Sequence, residues 1–432
     1  MLISDKIKKL AAEAEAALSG RFAEIDRVSG IRTEQVIEAF QAERVSEAVF
    51  MPSTGYGYDD QGREKLDRIY ASVFGTEAAF VRHSILSGTH ALTIGLFGLL
   101  RPGDTLLAVT GKPYDTLDSV IGISGKCGDG SLRDFGINYR QIDLLKTEFP
   151  DESPAYAHPA SDIIDFDSIK AALASDKNVK VIFIQRSKGY LDRPTLTVSQ
   201  INEVISFVRE LSGAFVVVDN CYGEFTELSE PNADLLIGSL IKNPGGGIAE
   251  SGGYLAGNRK AIELCGCRFS CPGIGLEGGA TLGTTRNMYK GFFMAPHIVA
   301  QALKTASLAA YIFSSLGCRA EPSADSPRSD IIQLLHLGSA EKLCAFCRGI
   351  QKGSAVDSFV TPEPYAMPGY SDQVIMAAGA FTQGSSIELS ADAPIRPPYV
   401  VYFQGGLTYE HSKFGVIKAL QELYDEKLIT VV

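Results

Sequence analysis

The sequence predicts an α/β protein, with a large domain on a mainly parallel sheet and a smaller α+β domain at the C-terminus. Three observations carry this. Strand-like and helix-like segments alternate between residues 78 and 258. The strand-like segments, such as VKVIFIQ (179–185) and AFVVVDN (214–220), are near-continuous apolar runs. Such runs mark strands covered on both faces, because an alternating pattern would leave one face in water. After Gly317 the texture changes to loops, short strands and two helical stretches.

Taken in order, residues 4–19 and 31–47 show helical periodicity. MPSTGYGYDDQG (51–62) is a turn-rich linker with two tyrosines, and a helix is expected over 63–74. Strands follow at 78–84, 104–110, 137–143, 179–185, 214–220, 233–241 and 252–258. Helices are expected between them at 88–100, 115–122, 165–175 and 197–213, and a long one at 281–315 that Pro296 kinks or breaks. The last part reads as a strand near 330–336, a helix over 342–354, strands over 385–392 and 398–406, and a final helix over 409–427. The expected units are 1–62, a helical segment and linker; 63–315, the large domain; and 316–432, the small domain.

The charge balance, 40 basic against 51 acidic residues and −11 net, opposes nucleic-acid binding, which rests on cationic contacts to phosphate. It equally disfavours a basic membrane surface. The charged, amphipathic start carries no apolar targeting core, and the run 91–100 is too short to span a bilayer, so a cytoplasmic location is expected. The eight cysteines then read as thiols. Cys265, Cys267 and Cys271, and the Cys344–Cys347 C-x-x-C, lack the second pair or histidines of a zinc site, so no metal is expected.

Ligands of α/β sheets bind beyond the carboxyl ends of the strands, and three polar signals sit at such ends. Ser87-Gly88-Thr89 opens an apolar helix, which presents free N–H groups suited to phosphate or serves as an ordinary cap. Asp219 ends a run of buried β-formers, where a carboxylate needs a salt-bridge partner or a ligand cation. Lys242 follows another apolar run, with Ser239 three residues before it and Gly245-Gly246-Gly247 after it. A lysine amine is nucleophilic only when neutral, and desolvation favours that form. The glycines follow the lysine, against the order of a Walker A loop, and the stretch does not have the Rossmann spacing. They read as backbone making room beside a covalent cofactor.

Together these signals supply what pyridoxal 5'-phosphate requires: an amine for its aldehyde, a carboxylate for its ring nitrogen, and small polar residues at a helix N-terminus for its phosphate. Tyr114, in TGKPYDTL, is placed to stack on the ring.

The stretches GYGYDDQGREKLDRIYA, SGTHAL, GKPYDTLDSVIG, IQRSKGY, VDNCYGEF, SLIKNPGGGIAESGGY and QGGLTYEH run in order through nearly the whole chain. On them the chain resembles the fold type I pyridoxal-phosphate enzymes of the aspartate aminotransferase-like fold. More narrowly it is similar to the methionine gamma-lyase-like group often labelled aluminium resistance proteins or cystathionine beta-lyases. The resemblance implies that Lys242 is the Schiff-base lysine and later the base at Cα, that Asp219 partners the pyridine nitrogen, and that Ser87, Gly88, Thr89 and Ser239 hold the phosphate. It implies that Tyr114 stacks on the ring and assists the leaving group. Tyr56 or Tyr58, with Arg63, would reach the phosphate of a neighbouring subunit. A homodimer or homotetramer with its active site at the subunit interface follows, with residues 1–62 contributing to dimer contacts.

Two departures stand out. The S-x-T-K usual around the lysine is Ser239-Leu240-Ile241-Lys242, and the late strand PYVVYFQGG lacks the arginine that usually grips the substrate carboxylate. Arg396 and Arg186 are the substitutes, because a planar guanidinium suits a carboxylate. The expected activity is carbon–sulfur lysis of a sulfur-containing amino acid, cystathionine or methionine-like, by beta- or gamma-elimination. The alternatives are an aminotransferase, a pyridoxal-phosphate protein without lyase turnover, and a phosphate-binding module.

Overall fold

The computed structural model describes residues 3–149, 154–366 and 372–431. Helices α1 (Asp5–Ala17), α2 (Ser19–Ala42) and α3 (Gln61–Phe74) precede the first strand. The alternation then runs β1 (Ala78–Arg82), α4 (Gly88–Leu99), β2 (Thr105–Ala108), α5 (Leu117–Ile121), β3 (Asn138–Gln141), α6 (Phe166–Ser175), β4 (Val179–Gln185), α7 (Val198–Leu211) and β5 (Phe215–Asp219). It continues through β6 (Leu235–Ser239) and β7 (Gly253–Gly257) to α8 (Arg259–Phe269) and α9 (Thr285–Ser315).

These seven strands form one sheet in the order β1-β7-β6-β5-β4-β2-β3. From β6 to β3 every pairing is parallel, and β7 runs against both its neighbours. The continuous apolar runs divide by the two-residue period of a strand. Ile182, Ile184, Val216 and Val218 join one core under α2, α3, α6, α7 and α9. Val181, Phe183 and Val217 join another under α4, α5 and α8. Both faces are therefore dry, as the sequence pattern requires.

The small domain adds β8 (Arg319–Glu321), β9 (Ile332–His336), α10 (Ala340–Gly353), β10 (Tyr365–Ala366), β11 (Gln373–Ala377), β12 (Ser390–Pro394), β13 (Val400–Gln404) and α11 (Tyr409–Asp425). Its antiparallel sheet has the order β10-β11-β12-β13-β9-β8. Helix α8 and strands β8, β10 and β11 were not foreseen, and the strand expected over 385–392 forms at 390–394. Nor does α9 break at Pro296. Apolar residues on both sides of the proline, Phe292, Ala295 and Val299, are buried in the core, and this packing outweighs one lost backbone bond.

Helix α9 threads both domains, with Met288–Leu303 in the large-domain core and Leu308–Phe313 in that of the small domain. Helix α1 joins the latter through Ile7, Ala11 and Ala14, although it is the far end of the chain. No helix among the described residues is long and apolar enough to cross a membrane.

The triple glycine faces this long helix rather than a cofactor. A Cβ on Gly246 would stand 2.4 Å from the Gly291 carbonyl oxygen, and one on Gly247 would stand 2.2 Å from Leu407. The contact is reciprocal, since a Cβ on Gly291 would meet the Gly245 oxygen at 2.2 Å. Two backbones approach more closely here than any side chain allows, and Gly246 and Gly247 also hold positive φ. The glycines thus seat the segment after Lys242 against α9.

Below the sheet's carboxyl edge lies a buried charge network. Arg186 donates to Asn220 (2.8 Å), Glu227 (2.9 Å) and Glu230 (3.1 Å), and Arg32 donates to the other oxygen of Glu230 (2.7 Å). Glu224 lies beside it and accepts from the Tyr254 hydroxyl at 2.9 Å. Burial pushes its carboxyl up to about 8, so it is mostly neutral at pH 7.

Two measurements test this account. Gly291→Ala should lower stability by about 1–3 kcal/mol in denaturant unfolding, since the clash is with backbone. Glu224 has a folded value above its unfolded one of about 4.3, so the native state holds the extra proton and stability falls as pH rises from about 4.3 to 8. Glu224→Gln should flatten that fall in unfolding curves taken across the same window.

Candidate active site

Three neighbouring strands end together. Gln185 closes β4 opposite Asp219, and Asp219 closes β5 opposite Ile237 of β6. Ser239 ends β6, and the chain turns from there through Lys242. The turn Ser87-Gly88-Thr89 enters α4, with the Ser87 hydroxyl accepting from the His90 N–H at 3.1 Å. The first turn of that helix carries N–H groups and positive potential toward the same edge.

Gly88 measures how close these groups lie. A Cβ there would stand 3.4 Å from Cys221 Sγ, 3.5 Å from Ser239 Cβ and 3.8 Å from Lys242 Nζ. Its absence leaves the space open. Lys242 Nζ sits 4.0 Å from the centre of the Tyr222 ring. The result is a cavity of about 230 Å³, and Ser87, Gly88, Thr89, Tyr114, Asp219, Ser239 and Lys242 all line it. These residues span the chain from 87 to 242, and only the sheet order unites them.

The electrostatics follow from burial and neighbours. Burial raises the Asp219 carboxyl above its usual range, against the opposing pull of Lys242, the Cys221 N–H at 3.1 Å and Arg193. For Lys242 burial acts downward, but Cys221, Tyr222, Asp219 and Glu224 together act upward and prevail. Desolvation alone implied a lowered lysine; the acidic groups around it, Cys221 and Tyr222 ahead of Asp219, reverse the direction. In this arrangement the amine is an ammonium.

Other expected residues lie elsewhere. Tyr56 and Tyr58 are 76% and 55% exposed, stacked on each other at 5.5 Å and outside the cavity of their own chain. Arg63 is only 2% exposed. Its guanidinium donates to the carbonyls of Gly57 (2.6 Å), Gly279 (2.7 Å) and Glu277 (2.9 Å), which pins the loop that carries the two tyrosines. Arg186 is spent on the buried network already described and does not reach the cavity. Arg396 pairs with Asp372 at 2.9 Å and lines a neighbouring cavity of about 270 Å³ with Lys112, Asp115 and Asp118. Tyr190 belongs to the walls of both cavities.

The wall also holds residues that sequence reasoning passed over. Gln185 ends a strand as Asp219 does, so the strand-end rule would have found it. Gln185 Oε1 and Ser187 Oγ are buried without a hydrogen-bond partner. The small domain contributes Met376, Ser386 and Asp392, which no motif announced. The cysteines are free, and among the described residues the metal-ligand grouping present is Asp192, Glu321 and His336, away from this cavity.

The set therefore offers an amine, a buried carboxylate, hydroxyls at a helix N-terminus, unsatisfied polar atoms and room kept by a glycine. That is the donor set a phosphorylated aldehyde cofactor requires.

Comparison with known proteins agrees with this chemistry. The family described as methionine gamma-lyase matches residues 7–424. YnbB of Bacillus subtilis (strain 168) is 50% identical over 427 residues, 98% of each chain. The structure of a carbon-sulfur lyase involved in aluminum resistance from Clostridium novyi NT superposes with a TM-score of 0.90 at 47% identity, over 98% of this chain and 96% of that one. A structure from Listeria monocytogenes str. 4b F2365 matches with the same TM-score and identity, over 96% and 99%. The pyridoxal-5'-phosphate dependent protein YhfS of Escherichia coli shares the fold alone, at 13% identity and a TM-score of 0.60 over 93% and 97%. The architecture is that of the fold type I enzymes, and the chain belongs to the methionine gamma-lyase family.

Proposed function

We propose that the protein is a pyridoxal-phosphate-dependent carbon–sulfur lyase acting on a sulfur-containing amino acid. The observation that carries this reading is the convergence of Lys242, Asp219, Ser239, Tyr114 and the Ser87–Thr89 turn on one cavity. When bound there, pyridoxal phosphate supplies an electron sink for the charge left when the substrate loses its α-proton.

The chain's own groups have distinct tasks. Ser87, Thr89, Ser239 and the start of α4 bind the phosphate through hydroxyls and N–H groups. Asp219, held out of water, keeps a proton on the ring nitrogen by presenting a negative charge to it. Lys242 anchors the cofactor and, once released, takes the proton from the substrate's Cα. Both uses need a neutral amine, which Cys221, Tyr222 and Asp219 oppose in the chain alone. Committing Asp219 to a second cation would relieve its share of that opposition. Tyr114, on the same wall, would pack against the ring and could assist a departing thiol.

The exposed pair Tyr56 and Tyr58, on a loop braced by Arg63, supports a site shared between subunits of a homo-oligomer. Arg63 then acts as the brace, because its terminal nitrogens already donate to carbonyls.

Reconstitution with pyridoxal phosphate should give a visible band that borohydride abolishes. Lys242→Ala should lack covalent attachment and lose at least about 10²-fold in thiol and 2-oxoacid release from cystathionine, cysteine, methionine or homocysteine. A wild-type chain that stays colourless would end this reading.

The shared site has its own test. Co-expressing Lys242→Ala chains with Tyr56→Phe/Tyr58→Phe chains should restore activity above either variant alone. Each hybrid dimer then holds one site with an intact lysine and intact partner tyrosines. No gain on mixing places the tyrosines outside the partner's site.

A further inference from the structure

The small domain brings one charge to the cavity that the reaction as described does not use. Asp392 of β12 lines the same wall as Lys242 and is 6% exposed. Gln404 donates to its Oδ2 at 3.2 Å, while Oδ1 is buried without a hydrogen-bond partner. A buried carboxylate oxygen left unsatisfied is costly unless a ligand completes it. Burial pushes this carboxyl up to about 6, against the smaller lowering effect of a side-chain hydrogen bond from Tyr190, so it is still mainly ionised at neutral pH.

The remaining charges on the wall define what is missing. The described lining residues include Lys242 as their one cation, with Asp219 and Asp392 as anions. Lys242 and Asp219 are assigned to the cofactor. Arg186 and Arg396, the guanidinium groups expected to receive a substrate carboxylate, lie outside the cavity. Beyond the groups assigned to the cofactor, the described wall therefore presents one carboxylate, Asp392, with no cation of its own, and the unsatisfied acceptor Gln185 Oε1 lines the same cavity. Met376 sits opposite Asp392 across the β11–β12 pair and supplies apolar wall for methylene and sulfur.

We infer that Asp392 receives a second ammonium group at the far end of the substrate, so that the preferred substrates are thioether amino acids with a cationic tail rather than neutral ones such as methionine. This rests on the lyase reading above. Oδ1 accepts from the ammonium, and Gln404 steadies the carboxylate through its other oxygen.

A matched pair of thioethers tests it: S-(2-aminoethyl)-L-cysteine and S-propyl-L-cysteine, which differ by an ammonium in place of a methyl. Binding to reconstituted protein is read from the visible band and by calorimetry, and turnover from 2-oxoacid release. The cationic compound should bind at least about 10-fold tighter and show the larger kcat/KM. Asp392→Asn should abolish that preference while leaving S-propyl-L-cysteine nearly unchanged, and Asp392→Glu should retain part of it. Equal binding of the two by wild type, or a preference that survives in Asp392→Asn, overturns the assignment and leaves the lyase reading standing. A parallel loss for both compounds in Asp392→Asn assigns the residue to structure and overturns it as well. Protein that never acquires the visible band overturns both.

Discussion

The site depends on an unlike-charge pair held out of water. Asp219 and Lys242 stand at or just beyond the carboxyl ends of adjacent strands, where each charge acts on the other and Lys242 also lies 4.0 Å from the centre of the Tyr222 ring. A lone buried ion costs several kcal/mol, so the Asp219 carboxylate at this depth draws on the nearby lysine, and on any ligand cation that replaces it. The parallel arrangement of β4, β5 and β6 makes the pairing geometric, since strands in register end at one level. The Cys221 N–H and Arg193 complete the support for Asp219. In the proposed function, a cofactor that brings its own cation to Asp219 would remove one of the charges that hold the Lys242 amine protonated.

The remaining buried charges serve the frame. Arg186, Arg32, Glu227 and Glu230 bond to one another at depth and fix the segment 220–230 beneath the lysine. Arg63 does the same for the tyrosine loop by gathering carbonyls. Both arginines resembled ligand-binding groups because a guanidinium suits a carboxylate or a phosphate equally well. What separates the roles is exposure and prior engagement, and neither is visible along the chain. The glycines after Lys242 are a similar case. Their positive φ could serve a cofactor, but the close approach of Gly291 shows that they serve helix packing.

Asp392 gives the cavity a polarity that separates this chain from an arginine-gripped amino-acid site. Its carboxylate comes from the small domain, so under the inference above the substrate's far end would meet a different domain from its reacting end. Tyr222 reinforces that junction, with its ring near Lys242 and its hydroxyl 3.3 Å from Ser386.

The sequence by itself determined the large domain. Strands buried on both faces must be apolar throughout, so their runs are legible, and the rule that ligands sit at strand ends then marks Ser87, Asp219 and Lys242. The small domain was less legible because its strands are short and mix polar with apolar residues. SADAP in β12 carries little apolar pattern, and its aspartate looks like a loop residue until pairing with β11 and β13 turns it inward. Only the tertiary structure decided which arginines were already engaged, what the glycines admit, and that Asp392 faces Lys242's cavity. Those outcomes depend on contacts between segments far apart in sequence, whereas strand burial is written into each segment's own residues.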